Sequence, residues 1–175
     1  MHVLVTAASR HDATREIAEA IAAGLAQRGV NADAHPLANV RSLEPYEAVV
    51  VGSAVYMGRW LKPARKFLED NAEVLARMPV WLFSSGPLGP PGQQIPEDDP
   101  TDLPHMLAIT GAREHRVFAG RLEKSRLGLA ERAAVRAVRA VEQDSRDWSE
   151  IDGFAAEIAA VLTADRSGGG GVQPV

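Results

Sequence analysis

A short apolar segment near the middle of the chain, residues 46–52, constrains the fold more than any other. It reads Tyr-Glu-Ala-Val-Val-Val-Gly, so consecutive valines present apolar side chains to both sides of an extended strand. A strand that is buried on both faces is typical of the centre of a parallel sheet, whereas a half-exposed antiparallel strand alternates apolar and polar residues. The segment therefore predicts a central parallel strand that is covered by helices on both faces.

Four further segments have the composition of strands, and stretches of helical periodicity separate them. These strands are predicted at residues 2–6, 30–37, 80–84 and 116–120. Helices are predicted at residues 14–29, 63–77, 105–110, 127–141 and 147–162. We expect Asp12 to cap the first helix and Gly29 to end it. This alternation predicts an α/β fold with a five-stranded, doubly wound parallel sheet between two helical layers.

Length and composition limit the classes of protein that remain. With 175 residues, we expect one domain over residues 1–164 and a flexible, glycine-rich tail over residues 165–175. The absence of cysteine excludes disulfides, thiolate metal sites and cysteine nucleophiles. A net charge of −4 argues against binding to nucleic acid. No secretory signal and no apolar run of about 20 residues is visible, so we expect a cytoplasmic protein without a transmembrane segment.

The sequence lacks the motifs of several common enzyme classes. The sequence contains no G-x-G-x-x-G fingerprint after the first strand, no P-loop and no G-x-S-x-G elbow. The five histidines lack metal-ligand spacing, so no metal site is predicted. We expect surface or capping roles for His35, His105 and His115, and core positions for Trp60 and Trp81. No side chain stands out as a catalytic acid or base.

Three loops carry the polar and aromatic groups of a candidate site, because ligands of such sheets bind beyond the carboxyl ends of the strands. The first loop leads into a helix N-terminus, where hydroxyls and free N–H groups are suited to a phosphate. The second, residues 52–60, offers small residues and aromatic rings. The third, residues 84–89, offers glycine and hydroxyls to the edge of a ring. Together the loops describe a site for a mononucleotide that carries a planar heterocycle.

Three stretches of sequence support a family resemblance. They are Thr-Arg-Glu-Ile-Ala-Glu-Ala-Ile-Ala at residues 14–22, Val-Val-Gly-Ser-Ala-Val-Tyr-Met-Gly at residues 50–58, and Asp-Trp-x-x-Ile-x-x-Phe-Ala at residues 147–155. In order and spacing, the chain up to Leu162 resembles flavodoxin-domain proteins, and among them the menaquinone-dependent protoporphyrinogen oxidase subgroup. The resemblance implies a three-layer flavodoxin-like fold with strand order 2-1-3-4-5.

The resemblance also implies FMN as the cofactor and an oxidoreductase of the protoporphyrinogen dehydrogenase (quinone) type. In this family Ser9 and Thr14 occupy the positions of phosphate-binding hydroxyls, and Tyr56 that of the aromatic residue near the ring. The resemblance implies a redox partner or quinone-type acceptor. The predicted cofactor-binding residues are Ser9, Arg10, His11, Asp12, Ala13 and Thr14 in the first loop, Ser53, Ala54, Val55, Tyr56, Met57 and Gly58 in the second, and Ser84, Ser85, Gly86 and Pro87 in the third.

Two positions depart from the family pattern, which usually has glycine in place of Asp12 and often a hydroxyl in place of Ala13. The Asp12 carboxylate repels a phosphate, and Arg10 and His11 are candidates to offset that repulsion. An alternative is that Asp12 caps the helix itself and takes the place of the phosphate, which leaves a binding or interaction module without a cofactor. A third interpretation is a simple electron carrier without a substrate of its own.

The resemblance implies that the predicted helix at residues 127–141 lies in the region where contacts with a membrane or a porphyrin are expected. Four arginines lie on or next to it: Arg126, Arg132, Arg136 and Arg139. Such a face is usually only solvated, and it lacks the bulky aromatic residues that insert into lipid. Peripheral contact with anionic lipid or an acidic partner is therefore an alternative to a solvated face. The oligomeric state has no signal in the sequence.

Overall fold

A parallel sheet organises the fold in the computed structural model, which describes residues 1–86, 100–122 and 143–168. Its strands are β1 (His2–Ala8), β2 (Asn31–Pro36), β3 (Ala48–Tyr56), β4 (Arg59–Trp60), β5 (Val80–Ser85) and β6 (Glu114–Phe118). The order β2-β1-β3-β5-β6 is parallel throughout, and β4 pairs antiparallel with the end of β3. The predicted five-stranded order is therefore confirmed, with β3 at its centre.

Helices pack on both faces of this sheet. They are α1 (Ala13–Gln27), α2 (Lys62–Asp70), α3 (Ala72–Leu75), α4 (Leu103–Thr110) and α5 (Trp148–Gly168), with a 3-10 turn at Leu37–Asn39. A separate antiparallel ribbon consists of β7 (Arg121–Leu122) and β8 (Gln143–Asp144). The predicted helix at residues 127–141 lies outside the described residues. In the described part of the chain, no helix is both long and apolar enough to cross a membrane.

Alternation along the strands divides the core into two layers. Val3 and Val5 of β1 pack in the layer that α1 and α5 cover, whereas Leu4 packs in the layer beneath α2 and α4. All three side chains are fully buried. Burial of β-branched and aliphatic residues on both faces is the reason that the central strands read as unbroken apolar runs.

Glycine at the centre of the sheet permits one close contact. A Cβ atom on Gly52 would lie 2.0 Å from Cζ of Phe83. Phe83 therefore occupies the space that any larger residue on β3 would fill. The Phe83 ring also packs against the ring of Phe118 on β6, with centroids 5.9 Å apart. Phe83 therefore contacts both Gly52 on β3 and Phe118 on β6.

Three predicted boundaries of secondary-structure elements are wrong. The segment 52–60 is not a loop, because β3 continues to Tyr56 and turns back into β4. The helix predicted at 63–77 breaks at Asn71, whose φ of −113° and ψ of 12° depart from helical values. Its side-chain amide also donates to the carbonyl of Phe67, 2.8 Å away. The last helix ends at Gly168 rather than at Leu162. Residues 169–175 of the predicted tail lie outside the described residues.

Candidate functional site

The carboxyl ends of β1, β3 and β5 lie side by side at one edge of the sheet. In the strand register, Ala8 pairs with Ser53, and Ser53 in turn pairs with Ser84. The chain segments that follow these three strands therefore begin from neighbouring positions. The three segments that the sequence singled out therefore start at the edge where ligands of doubly wound sheets bind.

The first of these loops turns sharply at Asp12. This residue has φ 64°, in the left-handed region, which aspartate tolerates better than most residues other than glycine. The turn is closed by a hydrogen bond from the N–H of Ala13 to the carbonyl of His11, 2.9 Å. Asp12 stands at the N-cap position, but its carboxylate makes no capping hydrogen bond to the helix. The prediction that its side chain caps α1 is therefore wrong, because the left-handed turn carries the carboxylate away from the helix N–H groups.

The first turn of α1 keeps backbone donors open as a result. In the described part of the chain, the N–H groups of Thr14 and Arg15 donate to no acceptor. Open N–H groups at the start of a 15-residue helix favour a bound anion. Ser9, just before the turn, is half-buried. Thr14 as a whole residue is only 1% exposed, so its hydroxyl is not presented at the surface of the site.

The charge of Asp12 has a partner within its own helix. Nε of Arg15 lies 3.3 Å from the Asp12 carboxylate, in an ion pair at i, i+3. Both side chains are nearly half exposed, so water screens the pair. Arg10, in contrast, places its guanidinium over the ring of Tyr56, 4.7 Å from the centroid. Arg15 thus adds a source of compensation that the sequence analysis did not consider.

The second segment forms a tight hairpin at the rim of the site. Tyr56 pairs with Arg59, and the two residues between them have positive φ, 52° for Met57 and 71° for Gly58. This is the geometry of a type I′ turn, in which glycine and asparagine are favoured and methionine is not. Tyr56 is 44% exposed and Met57 is 88% exposed. Ala54 and Val55 are half-buried below them.

Two serines that were predicted at the cofactor lie inside the protein instead. The Ser53 hydroxyl donates to the carbonyl of Ala54, 2.9 Å, and accepts from the N–H of Leu61, 3.0 Å. Ser84 accepts from Nε1 of the buried Trp60 and also hydrogen-bonds to His115, each at 2.8 Å. Both serines are fully buried. Their hydroxyls therefore support the hairpin and the sheet from beneath, and they are not available at the surface of the site.

The other aromatic and histidine predictions have mixed outcomes. Trp60 and Trp81 are core residues, as predicted, and both are buried. His35 and His105 are exposed. His115 differs from the prediction because it is partly buried and belongs to the hydrogen-bonded chain with Ser84.

The third segment is described only at its start. Ser85 is buried. Gly86 has φ 89°, and its N–H donates to the carbonyl of Phe118, 3.0 Å. A Cβ atom on Gly120 would lie 3.3 Å from Cα of Gly86, so the two backbones approach closely. Pro87 lies outside the described residues.

A cluster of charged residues that has no signal in the sequence lies beside the first turn of α1. Arg146 has a side chain that is 3% exposed. It donates to Glu16, 2.7 Å, and to both carboxylate oxygens of Asp144, 2.8 and 2.6 Å. Arg121 donates to both carboxylate oxygens of Glu16, each at 3.0 Å. We call these four residues the Arg146 cluster.

The cluster perturbs the protonation of its members. Burial raises the pKa of Glu16, but hydrogen bonds from Arg146 and Arg121 outweigh that effect, so the pKa lies below its ordinary value of 4.5. The hydrogen bond from Arg146 likewise lowers the pKa of Asp144. The bond to Asp144 raises the pKa of Arg146. The hydrogen bonds from Arg146 and Arg121 to Glu16 hold the ribbon β7–β8 against the start of α1.

In residues 1–86, 100–122 and 143–168, no three His, Asp or Glu side chains are grouped as metal ligands. What the edge offers is an open helix N-terminus, a tyrosine ring under a guanidinium, and a strained, exposed hairpin tip. These features suit an anionic ligand with a flat ring better than a metal ion.

Comparison with known proteins agrees with this architecture. The flavodoxin-domain family matches residues 4–149. Protoporphyrinogen IX dehydrogenase (quinone) of Escherichia coli strain K12 is 28% identical over 176 aligned residues, which cover 91% of this chain and 95% of that protein.

Solved flavodoxin structures share the fold. A flavodoxin from the domain Archaea superposes with a TM-score of 0.64 at 19% identity, covering 93% of this chain and 99% of its own. Flavodoxin 2 from Bacillus cereus gives 0.59 at 20% identity, with the same coverage. The family match spans most of the sequence and the sheet order is that of the fold. The chain belongs to the flavodoxin-domain family.

Proposed function

We propose that the chain is an FMN-dependent oxidoreductase that holds its cofactor at the carboxyl ends of β1, β3 and β5. The observation that carries the proposal is the open first turn of α1, where Thr14 and Arg15 present backbone N–H groups without an acceptor among the described residues. An anionic phosphate is the ligand class that satisfies such donors and the helix dipole together. Family membership makes FMN the leading candidate among phosphate esters.

Each loop has a distinct role in the proposed complex. Residues 9–14 surround the phosphate, with the open N–H groups and the Ser9 hydroxyl as donors. Residues 54–58 border the flavin ring, which packs against Tyr56. Since the guanidinium of Arg10 already covers one face of that ring at 4.7 Å, the flavin takes the other face or displaces Arg10. Ser85 and Gly86 follow the edge of the ring.

Asp12 lowers the affinity of this site for FMN but does not prevent FMN from binding. A carboxylate about 4 Å from a phosphate charge costs roughly 1 kcal/mol in water and about 4 kcal/mol at an effective dielectric of 20. The ion pair with Arg15, at 3.3 Å, offsets part of this cost. We therefore expect FMN to bind more weakly than it does when glycine occupies the position.

The reaction that we propose follows the curated relative. FMN, when bound, supplies hydride or single-electron transfer. The chain's residues hold the phosphate, orient the ring through Tyr56 and shield one side of it with the hairpin 56–59. The substrate class is a porphyrinogen, and the electron acceptor is a quinone. This assignment rests on 28% identity to a protoporphyrinogen IX dehydrogenase over 91% of the chain.

Asp12 also motivates a second candidate, an interaction module of the same fold that has lost its cofactor. That reading needs a substitute for the phosphate at the helix N-terminus. The Asp12 side chain makes no capping hydrogen bond, so it does not supply the substitute. We therefore favour the flavin-binding enzyme.

An absorbance spectrum and an activity assay test the proposal. Purified protein should show the flavin absorbance band, either as isolated or after addition of FMN and removal of the excess. The loaded protein should then oxidise protoporphyrinogen with a quinone as acceptor, and faster than free FMN at the same concentration. Protein that stays colourless with FMN in excess would support the cofactor-free module. Bound flavin that reduces cytochrome or ferredoxin but not quinones would support a simple electron carrier.

A further inference from the structure

Arg146 is the most deeply buried charged side chain near the proposed phosphate site. Its guanidinium lies over the ring of Trp148, 4.5 Å from the centroid, and its side chain is 3% exposed. It reaches α1 twice, through Glu16 at 2.7 Å and through the carbonyl of Ala13 at 3.4 Å. A buried arginine retains its charge and needs carboxylate partners. Its position therefore fixes the first turn of α1 relative to the ribbon.

Glu16 is the anion that this arrangement has to neutralise. It lies two residues beyond Thr14, which is about 3 Å further along the helix axis. Both of its carboxylate oxygens accept hydrogen bonds from Arg121 at 3.0 Å, and one also accepts from Arg146. Two guanidinium groups thus face one carboxylate beside the open N–H groups. Without them, Glu16 would place an uncompensated negative charge near the end of α1 where the phosphate is proposed to bind.

Among the four members of the Arg146 cluster, two positive and two negative charges are balanced. Loss of the Arg146 charge would leave Glu16 and Asp144 with Arg121 as the single cation within the cluster. The resulting negative charge would repel a phosphate, but it would have little effect on the uncharged flavin ring. The cluster is therefore placed to affect phosphate-bearing ligands selectively.

We propose that Arg146 is a positioning residue that increases the preference of the site for FMN over riboflavin, the same ring without the phosphate. It acts through Glu16, by holding and neutralising that carboxylate at the first turn of α1. This inference rests on the proposed FMN function. It adds a determinant 130 residues distant in sequence from the carboxylate that it controls.

The test compares the dissociation constants of FMN and riboflavin for the full chain and for four variants. Arg146→Gln should weaken FMN binding roughly fivefold, because one uncompensated charge then lies about 8 Å from the phosphate in a partly solvated site. The affinity for riboflavin should change less than twofold. Arg146→Gln combined with Glu16→Gln should restore FMN binding, because the cluster is again balanced. Glu16→Gln alone should strengthen FMN binding relative to riboflavin. Arg28→Gln is the matched control.

Arg28 suits this purpose because it forms a similar bidentate pair with Asp152, 2.8 and 2.7 Å. It lies at the other end of α1, about 20 Å from the first turn. Arg28→Gln should leave both affinities unchanged.

The outcomes are separable. Wild-type protein that binds neither flavin would overturn the proposed function together with this inference. Wild-type protein that prefers FMN, with an Arg146→Gln variant that loses both ligands equally or neither, would overturn the inference alone. If Arg146→Gln does not fold, as judged by circular dichroism, Glu16→Gln decides the matter. An unchanged ratio of the two affinities in Glu16→Gln would then contradict the proposed role of the cluster.

Discussion

Replacement of Asp12 is the sharpest perturbation of the candidate site. Asp12→Asn removes the charge but keeps the size of the side chain and a residue type that tolerates positive φ. Asp12→Gly removes the charge and the side chain together. Because the φ of 64° suits all three residues, the loop should keep its shape in both variants. Any change in FMN affinity then reports the charge.

The expected magnitude follows from the surroundings of the carboxylate. Asp12 is 48% exposed and pairs with Arg15 at 3.3 Å, so the repulsion should lie near the aqueous limit of about 1 kcal/mol for charges 4 Å apart rather than near 4 kcal/mol. A gain of about 1 kcal/mol corresponds to roughly fivefold tighter binding. Riboflavin affinity should not change, because riboflavin carries no phosphate.

Flavin fluorescence titration of the apo protein measures these constants. Asp70→Asn is a control of matched chemistry, since Asp70 is 55% exposed and pairs with Lys66. Asp70 ends α2, which runs back towards the opposite edge of the sheet, so its neutralisation should leave the FMN constant unchanged. Equal FMN affinity for wild type, Asp12→Asn and Asp12→Gly would refute the argument that Asp12 repels the phosphate.

Three further predictions concern stability, measured as the free energy of unfolding in urea. Gly52→Ala should destabilise the protein by about 1–3 kcal/mol, because the added Cβ would meet the Phe83 ring at 2.0 Å. Met57→Gly should stabilise it by roughly 0.5–1 kcal/mol, since the cost of a left-handed side chain exceeds the entropy cost of glycine. Stability should fall as the pH drops below about 4.5, because the folded pKa values of Glu16 and Asp144 are lowered and the stabilisation is lost as these groups take up protons.

Each of these predictions has its own check. Gly153→Ala in α5 is the control for Gly52, because a Cβ there would meet nothing within 4 Å, and it should not destabilise the protein. Met57→Ala keeps a side chain at positive φ and should not stabilise the protein; a gain equal to that of glycine would show that strain is not the cause. The double variant Glu16→Gln, Asp144→Asn should show a smaller loss of stability in acid than wild type. An identical loss would contradict the assignment of the titration to these two groups.

Sequence pattern predicted the sheet well because its signals are local. Strand β3 is identified by consecutive valines that are buried on both faces, and α1 by apolar residues at helical spacing such as Ile17 and Ile21, which are fully buried. The left-handed turn at Asp12 was also within reach, because glycine is usual at that position in the family. Hence the location proposed for the site follows from the order of strands and loops alone.

The roles of individual residues within the candidate site were harder to predict from the sequence. Period-2 alternation tells which residues share a face, but it does not tell where a strand ends, so Ser53 was assigned to a loop although it lies inside β3. Ser84 was assigned to the ring edge, yet its hydroxyl is committed to Trp60 and His115. Such contacts depend on side chains that come from three different elements.

The Arg146 cluster had no sequence signal at all. Strands β7 and β8 have two residues each, too few for any periodicity. The pair of Arg146 with Glu16 joins residues 130 positions apart, and nothing near either residue marks the other as its partner. Only the packing of the ribbon against α1 brings them together.

The central claim is that a phosphate binds the open N–H groups of Thr14 and Arg15. Backbone amide resonances of nitrogen-15-labelled protein, recorded by NMR during titration, test it most directly. FMN should shift the amide signals of both residues strongly, riboflavin should shift them little, and both ligands should shift signals near Tyr56. The claim would be contradicted if FMN saturates the protein while the amides of Thr14 and Arg15 move no more than they do with riboflavin.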